Sequence, residues 1–253
     1  MRPNRLRERF DAGQAAVAGW LSFDSQYAAE TLGHAGFDAV VVDLQHGPFH
    51  VDAAIGLMQA LSATPAMPMA RCPSLDFATI NKLLDGGAWG IICPMIDTAG
   101  QARELVSACR YPPVGMRSFG PARGVLYGGP DYFEKANDTI EAWAMIETAE
   151  GLRNLESICA VDGLAGVFVG PGDLSLALGL PPTPRWREGP LAEALDRILQ
   201  AARAAGKRAG IFCTTKEMAG DMRRAGYDLI VPGYDSLYLS SAAREWVAAA
   251  REG

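Results

Sequence analysis

Ala-Trp-Ala-Met-Ile-Glu at 142–147 and Gly-Val-Phe-Val-Gly-Pro-Gly-Asp at 166–173 decide the reading of the fold. Each is a short apolar run, bounded by turn residues, that ends on or just before a carboxylate. That is the pattern of a strand buried on both faces whose C-terminal end opens into a polar rim. Two more runs repeat it: Ala-Val-Val-Val (39–42) leads into Asp43-Leu44-Gln45-His46, and Met-Pro-Met-Ala (67–70) ends at Arg71. Glu147, Asp173, His46 and Arg71 thus share one rim. In a closed barrel of parallel strands that rim is where ligands bind.

Working outward, eight strands are expected, at 17–23, 39–43, 68–71, 90–95, 142–147, 166–169, 208–213 and 228–232. Amphipathic segments of helical period lie between most of them, at 25–35, 52–63, 77–86, 100–110, 191–205 and 216–225, with a last helix at 237–251. Glycine closes several helices ahead of the next strand, as at Gly36, Gly206 and Gly226, the usual place for a left-handed residue. The chain has 253 residues, close to the roughly 250 of a (β/α)8 TIM barrel. Residues 1–253 are therefore read as one α/β barrel domain. One segment breaks the rhythm: 111–138 is rich in proline and glycine with no sustained period. Its Arg117, Phe119, Arg123 and Tyr127 suit a wall over an anionic ligand, with a surface connection containing a short helix as the alternative.

A formal net charge of −6 with no basic block argues against a nucleic-acid or anionic-membrane surface. Five scattered cysteines, an odd count without a C-x-x-C pair, fit a reducing compartment. Residues 1–12 are charged and lack the apolar core of a signal peptide, and no stretch approaches the ~20 apolar residues of a membrane span. The expectation is a cytoplasmic protein that engages neither membrane nor nucleic acid.

The chemistry follows from the rim. Two carboxylates plus water, with no cysteine or second histidine nearby, favour an octahedral divalent cation such as Mg2+ or Mn2+ over structural zinc. Such a cation can hold a 2-keto acid and favour loss of a C3 proton. Arg71 is placed to stabilise the oxyanion that develops. His46 is the natural proton carrier, since histidine is the side-chain type that exchanges a proton most readily near working pH, and Asp43 is expected to orient or charge-compensate it. The glycines of the 170–173 turn let a carboxylate approach the backbone. His34 and His50 read as surface residues, and Cys93 and Cys213 as core. A lysine Schiff base is disfavoured. Of Lys82, Lys135, Lys207 and Lys216 only the last falls on the rim side, at a helix start where solvent would keep it too basic to be a good nucleophile.

The combination Asp43-Leu-Gln-His46-Gly-Pro, Arg71, Leu83-Leu-Asp85-Gly-Gly, Pro94-Met95, Tyr111-Pro-Pro-x-Gly-x-Arg117, Ile146-Glu147-Thr148 and Gly170-Pro-Gly-Asp173-Leu-Ser resembles the HpcH/HpaI class II pyruvate aldolases over nearly the whole chain. The resemblance implies a barrel of the phosphoenolpyruvate/pyruvate type. It also implies a metal-dependent (Mg2+, Mn2+ or Co2+) reversible cleavage of 4-hydroxy-2-keto acids to pyruvate and an aldehyde. By position, Glu147 and Asp173 would bind the metal, His46 would be the base and Arg71 the oxyanion stabiliser. Asp85 of a neighbouring subunit would raise the basicity of the histidine, and the backbone at Gly172 and Asp173 would hold the pyruvate carboxylate. It further implies a homo-hexamer, a dimer of trimers, with the final helix exchanged between subunits.

Two substrate-facing positions depart from the family pattern. Gln45 stands where a glutamate is frequent, and Met145 where a glutamine is frequent. Residues 145 and 147 face the same way in a strand, so Met145 should line the pocket and weaken polar contacts to the keto acid. Two other classes remain open from sequence: another metal-dependent lyase or phosphotransfer enzyme on the same barrel, and a non-catalytic 2-keto-acid binder. The latter would have no need of the His46–Asp43 pair.

Overall fold

The computed structural model describes residues 1–182 and 185–251. In chain order the elements are α1 (Arg5–Asp11), β1 (Ala16–Leu21), α2 (Gln26–Gly33), β2 (Ala39–Asp43), α3 (Val51–Leu61), β3 (Met67–Arg71), α4 (Phe77–Asp85), β4 (Gly90–Cys93) and α5 (Ala99–Cys109). Then follow α6 (Ala122–Gly128), α7 (Tyr132–Thr139), β5 (Glu141–Ile146), α8 (Ala149–Arg153), α9 (Leu155–Cys159), β6 (Gly166–Val169) and α10 (Pro171–Ala177). The last are α11 (Gly189–Ala204), β7 (Arg208–Phe212), α12 (Lys216–Ala225), β8 (Leu229–Val231) and α13 (Asp235–Arg251). The strands pair in parallel in sequence order and β8 closes on β1, a (β/α)8 barrel.

The period-2 geometry of the strands sorts their residues between two cores. Trp20, Val41, Met69, Trp143, Met145 and Phe168 fill the lumen, while Val40, Val42, Ala70, Ala144, Ile146 and Val169 pack outward against the helices. Continuing the inward parity by one further step of two residues at the C-terminal ends places Asp43, Arg71, Glu147 and Gly170 at the top of the lumen. Register completes the arrangement: Asp43 pairs with Arg71 across β2 and β3, and Ile146 with Val169 across β5 and β6, so Glu147 and Gly170 stand side by side.

Strand positions agree with the sequence reading to within one or two residues. The last expected strand, 228–232, is shorter, Leu229–Val231, and the Asp228 side chain before it accepts the Ala209 N–H at 2.8 Å. The 111–138 segment differs more. It contains two helices, α6 and α7, and its basic groups serve the fold and not an anion. Arg117 is buried, donates to Asp85 at 2.8 Å and to the Tyr132 hydroxyl at 3.0 Å, and lies 4.4 Å over the Tyr111 ring. Arg123 donates to the Gly86 carbonyl and the Ser62 hydroxyl. Helices α1, α8 and α9 escaped the sequence reading because they are too short to show a period. No helix among the described residues is long and apolar enough to cross a membrane.

Helix α13 is 17 residues long, yet Asp235 is its one buried residue. Asp235 accepts the backbone N–H groups of Ser22 and Phe23, which fastens the helix start to the end of β1. Beyond that anchor Leu239, Trp246 and Val247 are exposed.

Candidate active site

Trp20, Ser22, Asp43, His46, Arg71, Met145, Gly170, Pro171, Gly172, Asp173, Phe212, Thr214 and Tyr234 line a cavity of about 350 Å3 at the C-terminal rim. The expected residues Asp43, His46, Arg71, Met145, Gly172 and Asp173 are therefore brought together. Glu147, 2% exposed, stands directly against Gly170. Gln45 and Asp85 lie outside the lining.

The β2–β3 side is an ion-paired clamp. Arg71 Nε donates to Asp43 Oδ1 at 2.7 Å and Nη2 to Oδ2 at 2.6 Å, a bidentate pair. Trp20 Nε1 adds a hydrogen bond to Oδ2 at 3.1 Å, and the Arg71 guanidinium lies 4.8 Å over the Trp20 ring. Burial alone would raise the Asp43 carboxyl. The hydrogen bonds and charge of Arg71, with those from Trp20 and the Gln45 backbone, outweigh it and hold the group below the usual carboxylate range. This corrects the role expected of Asp43. Its Oδ1 accepts the backbone N–H of Gln45 at 3.1 Å and of His46 at 3.4 Å, so it shapes the turn that carries His46 and leaves the imidazole alone. The imidazole is solvent-exposed. The pairing with Arg71 follows from register, since Asp43 and Arg71 are direct cross-strand neighbours.

The β5–β6 side holds an uncompensated carboxylate. Glu147 Oε1 accepts the Met95 backbone N–H at 2.9 Å, whereas Oε2 is buried without a partner among the described residues. Burial pushes the Glu147 carboxyl up to about 7; the Met95 N–H opposes this, and the charge of nearby Asp173 adds to it. Asp173 lies in the first turn of α10, which starts with Pro171. The first N–H groups of a helix have no intrahelical acceptor, so those of Gly172 and Asp173 are available to a ligand.

The donor set fits a hard divalent cation. A bare buried oxygen beside a second carboxylate is relieved by positive charge, and among the described residues no cysteine or histidine joins them. No group of three or more His, Cys, Asp or Glu side chains is assembled there, so water and substrate oxygens would complete the shell, the usual habit of Mg2+.

Other residues fall where the sequence places them or reveal their partners. His34 and His50 are exposed at helix ends, and Cys93 and Cys213 are fully buried. Lys216 opens α12 and is exposed. Asp85 accepts Arg117, and burial raises its carboxyl despite that guanidinium. Trp20, Phe212 and Tyr234 were missed as site residues. They form an aromatic wall, Trp20 edge-on to Phe212 at 5.3 Å and Phe212 against Tyr234 at 6.1 Å. Trp20 was legible in principle, since it shares the inward parity of Ala16 and Ala18 on β1.

Known proteins carry the same arrangement of chain and fold. The profile of the HpcH/HpaI aldolase/citrate lyase family matches residues 17–242. A hydroxypyruvate/pyruvate aldolase of Rhizorhabdus wittichii is 41% identical over 98% of this chain and 99% of its own. A 4-hydroxy-2-oxo-heptane-1,7-dioate aldolase of Salmonella dublin is 36% identical over 97% of this chain and 94% of its own. The crystal structure of an HpcH/HpaI aldolase/citrate lyase family protein from Burkholderia cenocepacia J2315 superimposes with a TM-score of 0.91 at 32% identity, covering 98% of this chain and 99% of the other.

Proposed function

The chain belongs to the HpcH/HpaI aldolase/citrate lyase family, whose class II aldolases are generally dependent on a divalent metal, and on that footing we propose that it cleaves 4-hydroxy-2-keto acids reversibly to pyruvate, or a related 2-keto acid, and an aldehyde. The observation that carries the proposal is the bare buried Oε2 of Glu147 beside Asp173, on the edge of a cavity that also holds Arg71 and His46.

When bound by Glu147 and Asp173, Mg2+, Mn2+ or Co2+ supplies Lewis acidity to the oxygens of the keto acid. The N–H groups of Gly172 and Asp173 receive its carboxylate. His46 takes the proton of the C4 hydroxyl; the C3–C4 bond then breaks, its electron pair passes to C3 as the enolate, and the aldehyde leaves. Arg71 stabilises the enolate oxygen, its guanidinium fixed in direction by Asp43 and Trp20, and a proton returned to C3 yields pyruvate. Met145 and the Trp20–Phe212–Tyr234 wall exclude water from the carbon skeleton. Met145 offers the keto acid no amide, and the backbone of Gln45 helps to set the His46 turn.

Asp85 of a neighbouring subunit is assigned to the basicity of His46, in keeping with an exposed imidazole that, among the described residues, receives no side-chain partner within its own chain. The assembly is a homo-hexamer in which α13 docks on a neighbour, supported by the exposure of Leu239, Trp246 and Val247 beyond the Asp235 anchor. Its five free, buried cysteines suit the cytoplasm. Incubation with 4-hydroxy-2-ketopentanoate tests the proposal: pyruvate should appear, disappear with a chelator and return with Mg2+ or Mn2+. Full activity after rigorous metal removal contradicts it.

A further inference from the structure

Met95 has φ of +56°, a left-handed conformation that a residue with a side chain rarely adopts. Its side chain is half-exposed and does not line the cavity, so nothing in its own packing accounts for the conformation. The loop around it does. Ile96 N–H donates to the Met145 carbonyl at 3.2 Å. The Thr148 hydroxyl donates to Asp97, Asp97 N–H donates to Gln101 Oε1 at 2.8 Å, and Asn154 Nδ2 donates to the Asp97 carbonyl at 2.8 Å. These bonds tie residues 96–97 to Met145 and Thr148, on both sides of Glu147. Strain held by surrounding contacts at a cavity edge is typically there for a functional reason, and here its result is a single hydrogen bond, from Met95 N–H to Glu147 Oε1.

The opposite side of the carboxylate shows a matching feature. A Cβ on Gly170 would overlap Glu147 Oε2 and lie 2.6 Å from Met145 Cε. The φ of Gly170 is −97°, open to any residue, so its bareness serves space and not backbone conformation.

We propose that Met95 and Gly170 are positioning residues for Glu147: the left-handed turn at Met95 binds Oε1 through the backbone, and the missing side chain at Gly170 leaves the space Oε2 occupies, so that one oxygen is held and the other is presented bare toward Asp173. The inference rests on the metal-binding reading of Glu147 and Asp173. It assigns the sequence pair Pro94-Met95 a task exerted through main chain, which makes the Met95 side chain replaceable and the anchoring of its loop essential.

The test is Mn2+ binding to chelator-treated protein without substrate, read from the paramagnetic resonance signal of free Mn2+, with circular dichroism and melting curves to confirm folding. Gly170→Ala, whose backbone alanine accepts, should bind Mn2+ at least about tenfold more weakly, the usual scale for disturbing a ligand's supporting contacts. Asp97→Ala, which releases Thr148, should do the same, while Asp97→Asn, which keeps an acceptor and loses the charge, should restore affinity. Met95→Ala should stay within about twofold of the unmodified protein. Native affinity in both Gly170→Ala and Asp97→Ala overturns the positioning role while leaving the metal site standing. Absence of Mn2+ binding by the unmodified protein overturns both.

Discussion

On the β2–β3 side of the rim Asp43 has both oxygens occupied, by Arg71 in two places, by Trp20 and by two backbone N–H groups; on the β5–β6 side Glu147 has one oxygen held by Met95 and the other without a partner among the described residues. Both are buried acids on one barrel end, at the same inward parity. Their environments move them in opposite directions, Asp43 down and Glu147 up to about 7. A compensated carboxylate makes a rigid strut, whereas an uncompensated one makes a ligand waiting for charge. The pairing of Arg71 with Asp43 therefore orients the guanidinium, whose charge offsets the upward push of burial on Glu147 only in part.

The largest effect should come from the uncompensated side. Glu147→Ala or Asp173→Ala should lower retro-aldol turnover by about a thousandfold or more at low metal, since in the proposed mechanism each would remove one of two protein ligands to the group that carries the charge stabilisation. Steady-state rates at micromolar Mn2+ check this, and retention of a tenth of the activity in either variant would break the assignment. Next comes Arg71→Ala, which should lose chiefly kcat, by about 100- to 1000-fold as for other oxyanion donors. Arg71→Lys should recover only part, because an ammonium lacks the planar fork that Asp43 grips. A change confined to KM would make Arg71 a ground-state binder.

Stability, where the smallest single effect is expected, contrasts the two acids most sharply. Changing each to its amide should move stability in opposite directions. Asp43→Asn leaves Arg71 buried without its partner and should cost about 3–5 kcal/mol. Glu147→Gln removes an unpaired buried charge and should stabilise the metal-free protein by about 1 kcal/mol, roughly 2–4 °C in Tm for a chain of this size. Destabilisation of the metal-free protein by both would erase the distinction. The pH dependence of the first has a definite sign. The Asp43 carboxyl titrates below its ordinary 3.8 when folded, so the folded state binds fewer protons than the unfolded one between those values. Its contribution is full above pH 3.8 and is lost as pH falls through the lowered value. The stability gap between the unmodified protein and Asp43→Asn, followed by denaturant unfolding, should narrow on acidification below about pH 4.

Much of the barrel could be read from the chain because strands buried on both faces write themselves as short apolar runs, and 39–42 and 166–169 could hardly be anything else. The charges at their ends marked the rim for the same reason, since a buried strand seldom ends on an acid without cause. What escaped reading depends on register or main chain. The Asp43–Arg71 pair arises from the pairing of β2 with β3, which no local pattern states, so Asp43 looked like a companion of nearby His46. The grip of Met95 on Glu147 is a backbone contact 52 residues apart, invisible in side-chain chemistry. The 111–138 segment misled because its arginines resemble a ligand-binding set, while in the fold they serve Asp85, Tyr132, Gly86 and Ser62.

The most direct test of the whole account needs no aldehyde. With Mg2+ or Mn2+ present, the protein alone should exchange the methyl protons of pyruvate with D2O, read as loss of the methyl signal in a one-dimensional proton spectrum over an hour, and borohydride should trap no lysine adduct. His46→Ala should abolish the exchange while pyruvate still binds, because the proposal assigns the carboxylate and ketone to groups other than the imidazole. Loss of the signal with the unmodified protein and its persistence with His46→Ala is the predicted result. Undiminished exchange in His46→Ala would place the base elsewhere, and no exchange at all with metal present would contradict the aldolase reading.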